Sequence, residues 1–278
     1  MHTTKRAAFI LALAAAFAVG LIAYAVSAGA VATCSFVNSS GNKSCVKLAV
    51  APNNPHGTFK SSQLFVHTRT LYAHPGNKSQ GGFAKTVTLR FDNDFRIAPG
   101  SIPRCSKAQL SGKNIRQAWN TCGPGAGAAH NAYLSPPGAV SGRTSTAPPS
   151  NFNGCTLVFN GPPSGGNPTV TLYARVTLVA NGTANCANPA GNTSGNTTVI
   201  LVGTITNAGV AGFGKKLTVP GIDQLPLPLD DFYATVRRGS YFQARCPAGA
   251  SPWKLRGLFA YSGSGQPADT VQSTQPCS

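Results

Sequence analysis

The chain contains no glutamate. Its six acidic residues are all aspartates, Asp92, Asp94, Asp223, Asp230, Asp231 and Asp269, against 23 lysines and arginines in 278 residues. The helical H-E-x-x-H zinc site and glycosidase pairs built on glutamate are therefore excluded. Methionine occurs only at position 1 and charged residues make up 10% of the chain, while 31 glycines and 21 prolines punctuate it. That composition leaves little material for long helices. Several functional spacings are missing too. There is no C-x-x-C, no H-x-H and no G-x-S-x-G nucleophile elbow. Zinc-finger spacing, an RNP-like aromatic strand and a basic helix are likewise absent, so no specific nucleic-acid partner is assigned.

What is present begins with an export signature. His2, Lys5 and Arg6 precede an apolar run from Ala7 to Val26, broken only by Gly20, and small residues follow, the layout of a cleavable leader. Ala30-Val31-Ala32 predicts a signal peptide over 1–32 and a mature chain from Thr33, with Val26-Ser27-Ala28 as a second cleavage position. The apolar run approaches the roughly 20 residues needed to cross a bilayer, so a retained leader would act as an N-terminal anchor. Thr33 stands where a lipobox requires Gly, Ala or Ser, and Cys34 is not read as lipidated.

All eight cysteines, Cys34, Cys45, Cys105, Cys122, Cys155, Cys186, Cys246 and Cys277, follow that leader. An even number beyond an export signal predicts a disulfide framework in an extracytoplasmic protein. Eight cysteines permit 105 pairings. The expectation carried forward joins sequence neighbours: Cys34–Cys45, Cys105–Cys122, Cys155–Cys186 and Cys246–Cys277.

Periodicity predicts an all-β fold for residues 33–278, an antiparallel β-sandwich in one domain. Over Lys85–Phe91, Val87, Leu89 and Phe91 alternate with Thr86, Thr88 and Arg90, the period of a half-buried strand. From Thr169 to Ala180 the rule turns Val170, Leu172, Ala174 and Val176 inward and Thr169, Thr171, Tyr173 and Arg175 to solvent. Further strands are predicted within Val46–Val50, Gln63–Ala73, Cys155–Phe159, Thr197–Thr206, Lys216–Val219, Phe232–Val236, Tyr241–Cys246 and Trp253–Ser262. Gly and Pro clusters separate them without αβ alternation. At most one short helix is expected, over Ser106–Trp119, capped by Ser106 and burying Leu110 and Ile115. Gly123–Gly154 and Asn181–Asn196 read as long surface loops rich in Gly, Pro and Asn.

Candidate chemistry is sparse. Asp92 and Asp94 share a face but are too few for a calcium site, and are read as ending a strand and neutralising Arg90 and Arg96. Asp230 and Asp231 point oppositely and are read as beginning a strand. His67, His74, His56 and His130 lack ligand spacing and are read as surface or loop residues. Gly209–Lys215 matches the opening of a phosphate-binding loop, but Lys216 replaces the required Ser or Thr. It is read as a hairpin tip bearing Lys215 and Lys216. No metal ligand, catalytic residue or cofactor is assigned.

Over Trp253–Tyr261, alternation places Trp253, Leu255, Phe259 and Tyr261 on one face, read as core, and Lys254 and Arg256 on the other. Arg237, Arg238 and Arg245 lie upstream. Paired as a hairpin, the two segments would gather these bases into one stripe.

The run Val87-x-Leu89-x-Phe91-Asp92-x-Asp94-Phe95, the Pro103-x-Cys105 and Cys122 that follow, and the later Tyr241, Cys246, Trp253 and Cys277 resemble exported bacterial β-rich proteins of unknown function. The resemblance covers the chain from about Val87 onward and implies secretion and a β fold. It transfers no functional residue.

Removing Lys5 and Arg6 with the leader leaves 21 basic residues against 6 acidic ones, a balance that attracts anionic polymers. The expected function is binding of anionic or carbohydrate polymer at the cell envelope, through Arg237, Arg238, Lys254 and Arg256 together with Lys215 and Lys216. Two other classes stay open at this level. A structural or adhesive subunit needs an unpaired strand edge or a large apolar patch. A secreted hydrolase needs a histidine meeting an aspartate and a serine.

Overall fold

Alternating apolar residues form strands because only a pleated chain turns every second side chain toward one core. The computed structural model describes residues 41–53, 55–135, 138–143, 151–178, 195, 197–225, 227–238, 241–263 and 266–277. It is all-β and antiparallel. The strands are β1 (Lys43–Ala51), β2 (Lys60–Ser61), β3 (Gln63–Leu71), β4 (Gln80–Asp92), β5 (Phe95–Ile97), β6 (Gly138–Arg143), β7 (Asn151–Ser164), β8 (Asn167–Leu178), β9 (Thr197–Val210), β10 (Phe213–Pro220), β11 (Leu229–Val236), β12 (Phe242–Ala244), β13 (Trp253–Gly263) and β14 (Asp269–Gln275). Each predicted strand window falls on one of them. The predicted leader, with Cys34, and nearly all of the Asn181–Asn196 loop, with Cys186, lie outside the described residues. No helix among the described residues is long and apolar enough to cross a membrane.

The sandwich is built from one eleven-stranded sheet ordered β1-β3-β11-β6-β7-β8-β9-β10-β4-β13-β14, with a second sheet ordered β2-β12-β5. Eleven strands alternating in direction leave the two end strands pointing the same way, and these ends meet. The backbone N–H groups of Ser44, Leu48 and Val50 donate to Asp269 Oδ2, Ser273 Oγ and Gln275 Oε1 at 2.6, 3.2 and 2.6 Å. Gln275 Nε2 returns a bond to the Val50 carbonyl at 3.1 Å. Every pair is offset by 225 positions, so β1 and β14 run parallel in constant register. Side chains of β14 thus satisfy backbone groups that an open edge would present to other chains. The sheet curls on itself, and its apolar faces look at one another across a shared core.

One end of that core is covered by β2-β12-β5. Phe95 meets the rings of Phe242 and Trp253 at 5.1 and 5.7 Å, and the fully buried Trp253 donates its indole N–H to the Arg245 carbonyl at 2.8 Å. At the other end Ile222 and Leu225, in and after a 3-10 turn, pack on Val219, Phe259 and Tyr261.

The outer face of β7 and β8 corrects one expectation. Thr169, Thr171 and Tyr173 do not face solvent but are fully buried. A helical segment packs on this face: Leu110, Ile115, Ala118 and Cys122 form a second core with Leu157, Phe159 and Tyr173. Tyr173 donates its hydroxyl to the Lys113 carbonyl at 2.6 Å, and Thr171 donates to the Cys105 carbonyl at 2.8 Å. The predicted single helix is split. Ser106 does cap it, but the first turn, α1 (Lys107–Leu110), ends at Ser111, and Gly112 takes a φ of +70° before α2 (Ile115–Cys122) begins at a new cap, Asn114. Both caps are reciprocal, with Gln109 and Gln117 bonding back to the cap backbone.

Disulfides join Cys105 to Cys122 and Cys246 to Cys277, as neighbour pairing predicts. Cys45 and Cys155 are also disulfide-bonded, while Cys34 and Cys186 lie outside the described residues. These bonds require an oxidising environment. The predicted loop Gly123–Gly154 is partly structured, holding the turn Pro124–Ala126, a bridge from Tyr133 to Phe159, and β6.

Candidate functional site

Strand register decides which basic residues meet. On β10, β4 and β13, Lys216 lies opposite Arg90, and Arg90 opposite Arg256. Three cations therefore stand side by side on the outer face of adjacent strands. None of them makes an ion pair among the described residues. Arg90 Nε is buried with no hydrogen-bond partner. Arg256 donates from Nη2 to Gln272 Oε1 at 3.1 Å, and its guanidinium lies 4.7 Å from the Phe213 ring centre. Hydroxyls continue the face, with Thr88 and Thr218 at 3.4 Å from each other. Lys254 extends the row along β13, and its backbone N–H donates to Asp92 Oδ2 at 3.1 Å.

Other predicted members are placed differently. Lys215 sits at a bulge of β10, where its Nζ donates to Asn207 Oδ1 at 2.7 Å. The hairpin that would gather these bases does not form: β11 pairs with β3 and β6, β12 with β2 and β5, and β13 with β4 and β14. Arg237 and Arg238 follow β11, across the seam from β13, and their backbone N–H groups both donate to the Leu134 carbonyl. Arg245 pairs with Asp94 at 2.6 Å and lies with Arg96 over the Phe59 ring. Arg90 was missed as a site residue because its neighbours are visible only once the strand order is known.

The aspartates also depart from expectation. Asp94 serves Arg245 rather than Arg90 or Arg96. The buried Asp92 accepts from the N–H groups of Asp94 and Lys254. Loss of hydration on burial raises its carboxyl above the ordinary range, against the opposing effect of those two bonds. A raised carboxyl holds its proton longer in the fold than in the unfolded chain. Its contribution is present below the unfolded value and lost as pH rises through the folded value. Wild-type stability relative to Asp92→Asn should therefore decline with rising pH across that window, as read from urea midpoints. A difference that grows instead would contradict the burial argument.

His67 is not a surface residue. It is 5% exposed, and its Nε2 lies 2.8 Å from Asp231 Oδ1 on the outer face of β3 and β11, with Tyr233 and Phe65 at its edges. Ser141 stands opposite Asp231 in the ladder. Among the described residues no group of three or more His, Cys, Asp or Glu gathers to hold a metal ion.

The second feature is internal. Between the sandwich layers lies a cavity of about 140 Å³, walled by inward residues of β3, β4 and β7 to β11. Its lining is aliphatic and aromatic apart from Thr68, Thr156 and Tyr241. Tyr241 is 3% and Thr156 1% exposed, and neither hydroxyl has a hydrogen-bond partner. Burial pushes the Tyr241 phenol well above its usual range. Comparison of this chain with protein-family models, with curated proteins and with solved structures finds no match, so the reading of both features rests on the residues themselves.

Proposed function

We propose that the protein acts outside the cytoplasm as a binder of anionic polysaccharide at the cell envelope, through the outer face of β10, β4 and β13. The observation that carries this reading is the unpaired row Lys216, Arg90 and Arg256. Like charges directly opposite on adjacent strands repel one another. A polymer with repeating negative groups relieves that repulsion, because strands about 4.8 Å apart present the cations at regular intervals. Lys254 lengthens the row, and the hydroxyls of Thr88 and Thr218 offer hydrogen bonds to sugar. The leader-like N-terminus and the disulfides support an extracytoplasmic setting. Assembly as an adhesive subunit has less support. The end strands of the main sheet cover each other, and among the described residues the large exposed apolar side chains are Val210 and Tyr233.

Chromatography on a heparin-type resin tests the proposal. Arg90→Gln/Lys216→Gln/Arg256→Gln should elute at clearly lower salt than wild type. A control losing three charges elsewhere, Lys107→Gln/Arg237→Gln/Arg238→Gln, should shift much less. Equal shifts would reduce the interaction to net charge alone and overturn the assignment to this face.

A further inference from the structure

The interior carries a separate inference. We propose that the cavity between the layers binds a small hydrocarbon, one ring or a short branched chain in size, with no hydrogen-bonding group. The wall is almost wholly apolar: the hydroxyls of Tyr241 and Thr156 are buried within it and present almost no polar surface to the space. No charged residue and no histidine lines it. A buried water typically needs about three polar partners, so an apolar void of this kind stays dry and accepts an apolar guest instead. Protein interiors are close-packed, and a void forfeits dispersion contacts that such a guest restores.

Strand register places small side chains together in the wall. Gly138 on β6 lies opposite Thr156 on β7, and Thr156 lies opposite Ala174 on β8. Thr156 and Ala174 line the cavity, as does Ala234 on β11. Gly138 cannot be enlarged toward it, because a Cβ there would come 2.2 Å from the Tyr233 carbonyl oxygen and 2.5 Å from Thr156 Oγ1. The next inward row on β7 and β8, Val158 opposite Leu172, is bulky. Size then sets the guest. A cavity of about 140 Å³ is close to the apolar cavity of about 150 Å³ that accepts benzene in another protein, so the guest has on the order of six to eight non-hydrogen atoms. A carboxylate would enter without a counter-charge, and a hydroxyl would lose its water for a surface that offers it almost no polar partner.

Calorimetric titration of the disulfide-bonded protein with toluene, phenol and benzoate tests this. Toluene should bind one to one, phenol at least about 10-fold more weakly, and benzoate not at all. Methyl resonances of Leu172 and Leu217, which line the space, should shift as toluene is added. Ala174→Leu, which fills the space from β8, should abolish toluene binding. Ala234→Leu does the same from β11 if the first variant fails to fold. Absence of toluene binding to wild type would overturn the proposal. Phenol binding as tightly as toluene would overturn the assignment to a hydrocarbon. Toluene binding that survives a folded filling variant, or that leaves the Leu172 and Leu217 methyls unmoved, would place the probe elsewhere and overturn it equally.

Discussion

Replacing Cys246 and Cys277 with serine should cost about 2–4 kcal/mol of stability and should release β14 before the rest of the sheet. The disulfide spans 31 residues and anchors the chain two positions beyond Gln275, the last residue of β14. β14 is poorly equipped to hold itself. Its sequence, Asp-Thr-Val-Gln-Ser-Thr-Gln, contributes only Val271 to the core, and side-chain bonds from Asp269, Ser273 and Gln275 tie it to β1. Beyond the backbone ladder that pairs β14 with β13, such bonds contribute about 0.5–1.5 kcal/mol each, a narrow margin against the entropy the strand regains when its end frays. Loss of the anchor should therefore act from the Cys277 end inward. Hydrogen exchange on the variant should accelerate first at the Leu48 and Val50 amides, which face Ser273 and Gln275. The Leu89 and Leu217 amides, in the middle of the β4–β10 ladder, should keep most of their protection. Uniform acceleration across both regions would mean that the disulfide acts on the unfolded chain alone and that the seam has no separate stability. Unchanged protection at Leu48 and Val50 would mean that the seam does not depend on it.

The seam also shows what sequence periodicity can and cannot reveal. β4 and β13 were legible because each alternates apolar and polar residues against a single core, and the structure buries Leu89, Phe91, Trp253 and Leu255 accordingly. β14 was invisible because its inward side chains, Val271 apart, are polar and bond to backbone. β6, Gly-Ala-Val-Ser-Gly-Arg, offers no alternation to detect, and β5, at three residues, is shorter than one period of evidence. β8 was found as a strand, but its outer face was assigned to solvent. Tyr173 and Thr171 belong to a second core whose other half, Leu110 and Ile115, comes from sixty residues upstream, and no local pattern announces that layer. The cationic row fails in the same way. Lys216, Arg90 and Arg256 come from three strands whose adjacency is a property of topology, whereas Arg237 and Arg238 look close to Trp253 in sequence and are carried to another part of the sheet. The cavity depends on summed side-chain volume and has no signature in the sequence.

Trp253→Ala should be the most damaging single substitution, with a loss of about 3–5 kcal/mol. Trp253 opens β13 and is fully buried among Phe95, Phe242 and Leu255, so truncation leaves a cavity that these neighbours close only in part. Its indole N–H also holds the Arg245 carbonyl, and Arg245 in turn reaches Asp94 and the face of Phe59. This chain of contacts attaches the small sheet β2-β12-β5 to the end of the large one. Trp253→Phe separates the two roles. It keeps most of the apolar volume but leaves the carbonyl without its donor, at a cost of roughly 1–3 kcal/mol. Urea denaturation followed by far-ultraviolet circular dichroism, with fluorescence of the remaining Trp119, should place the midpoints in the order wild type, Phe variant, Ala variant. If the two variants were equally destabilised, the hydrogen bond would be the dominant role and the packing argument would fail.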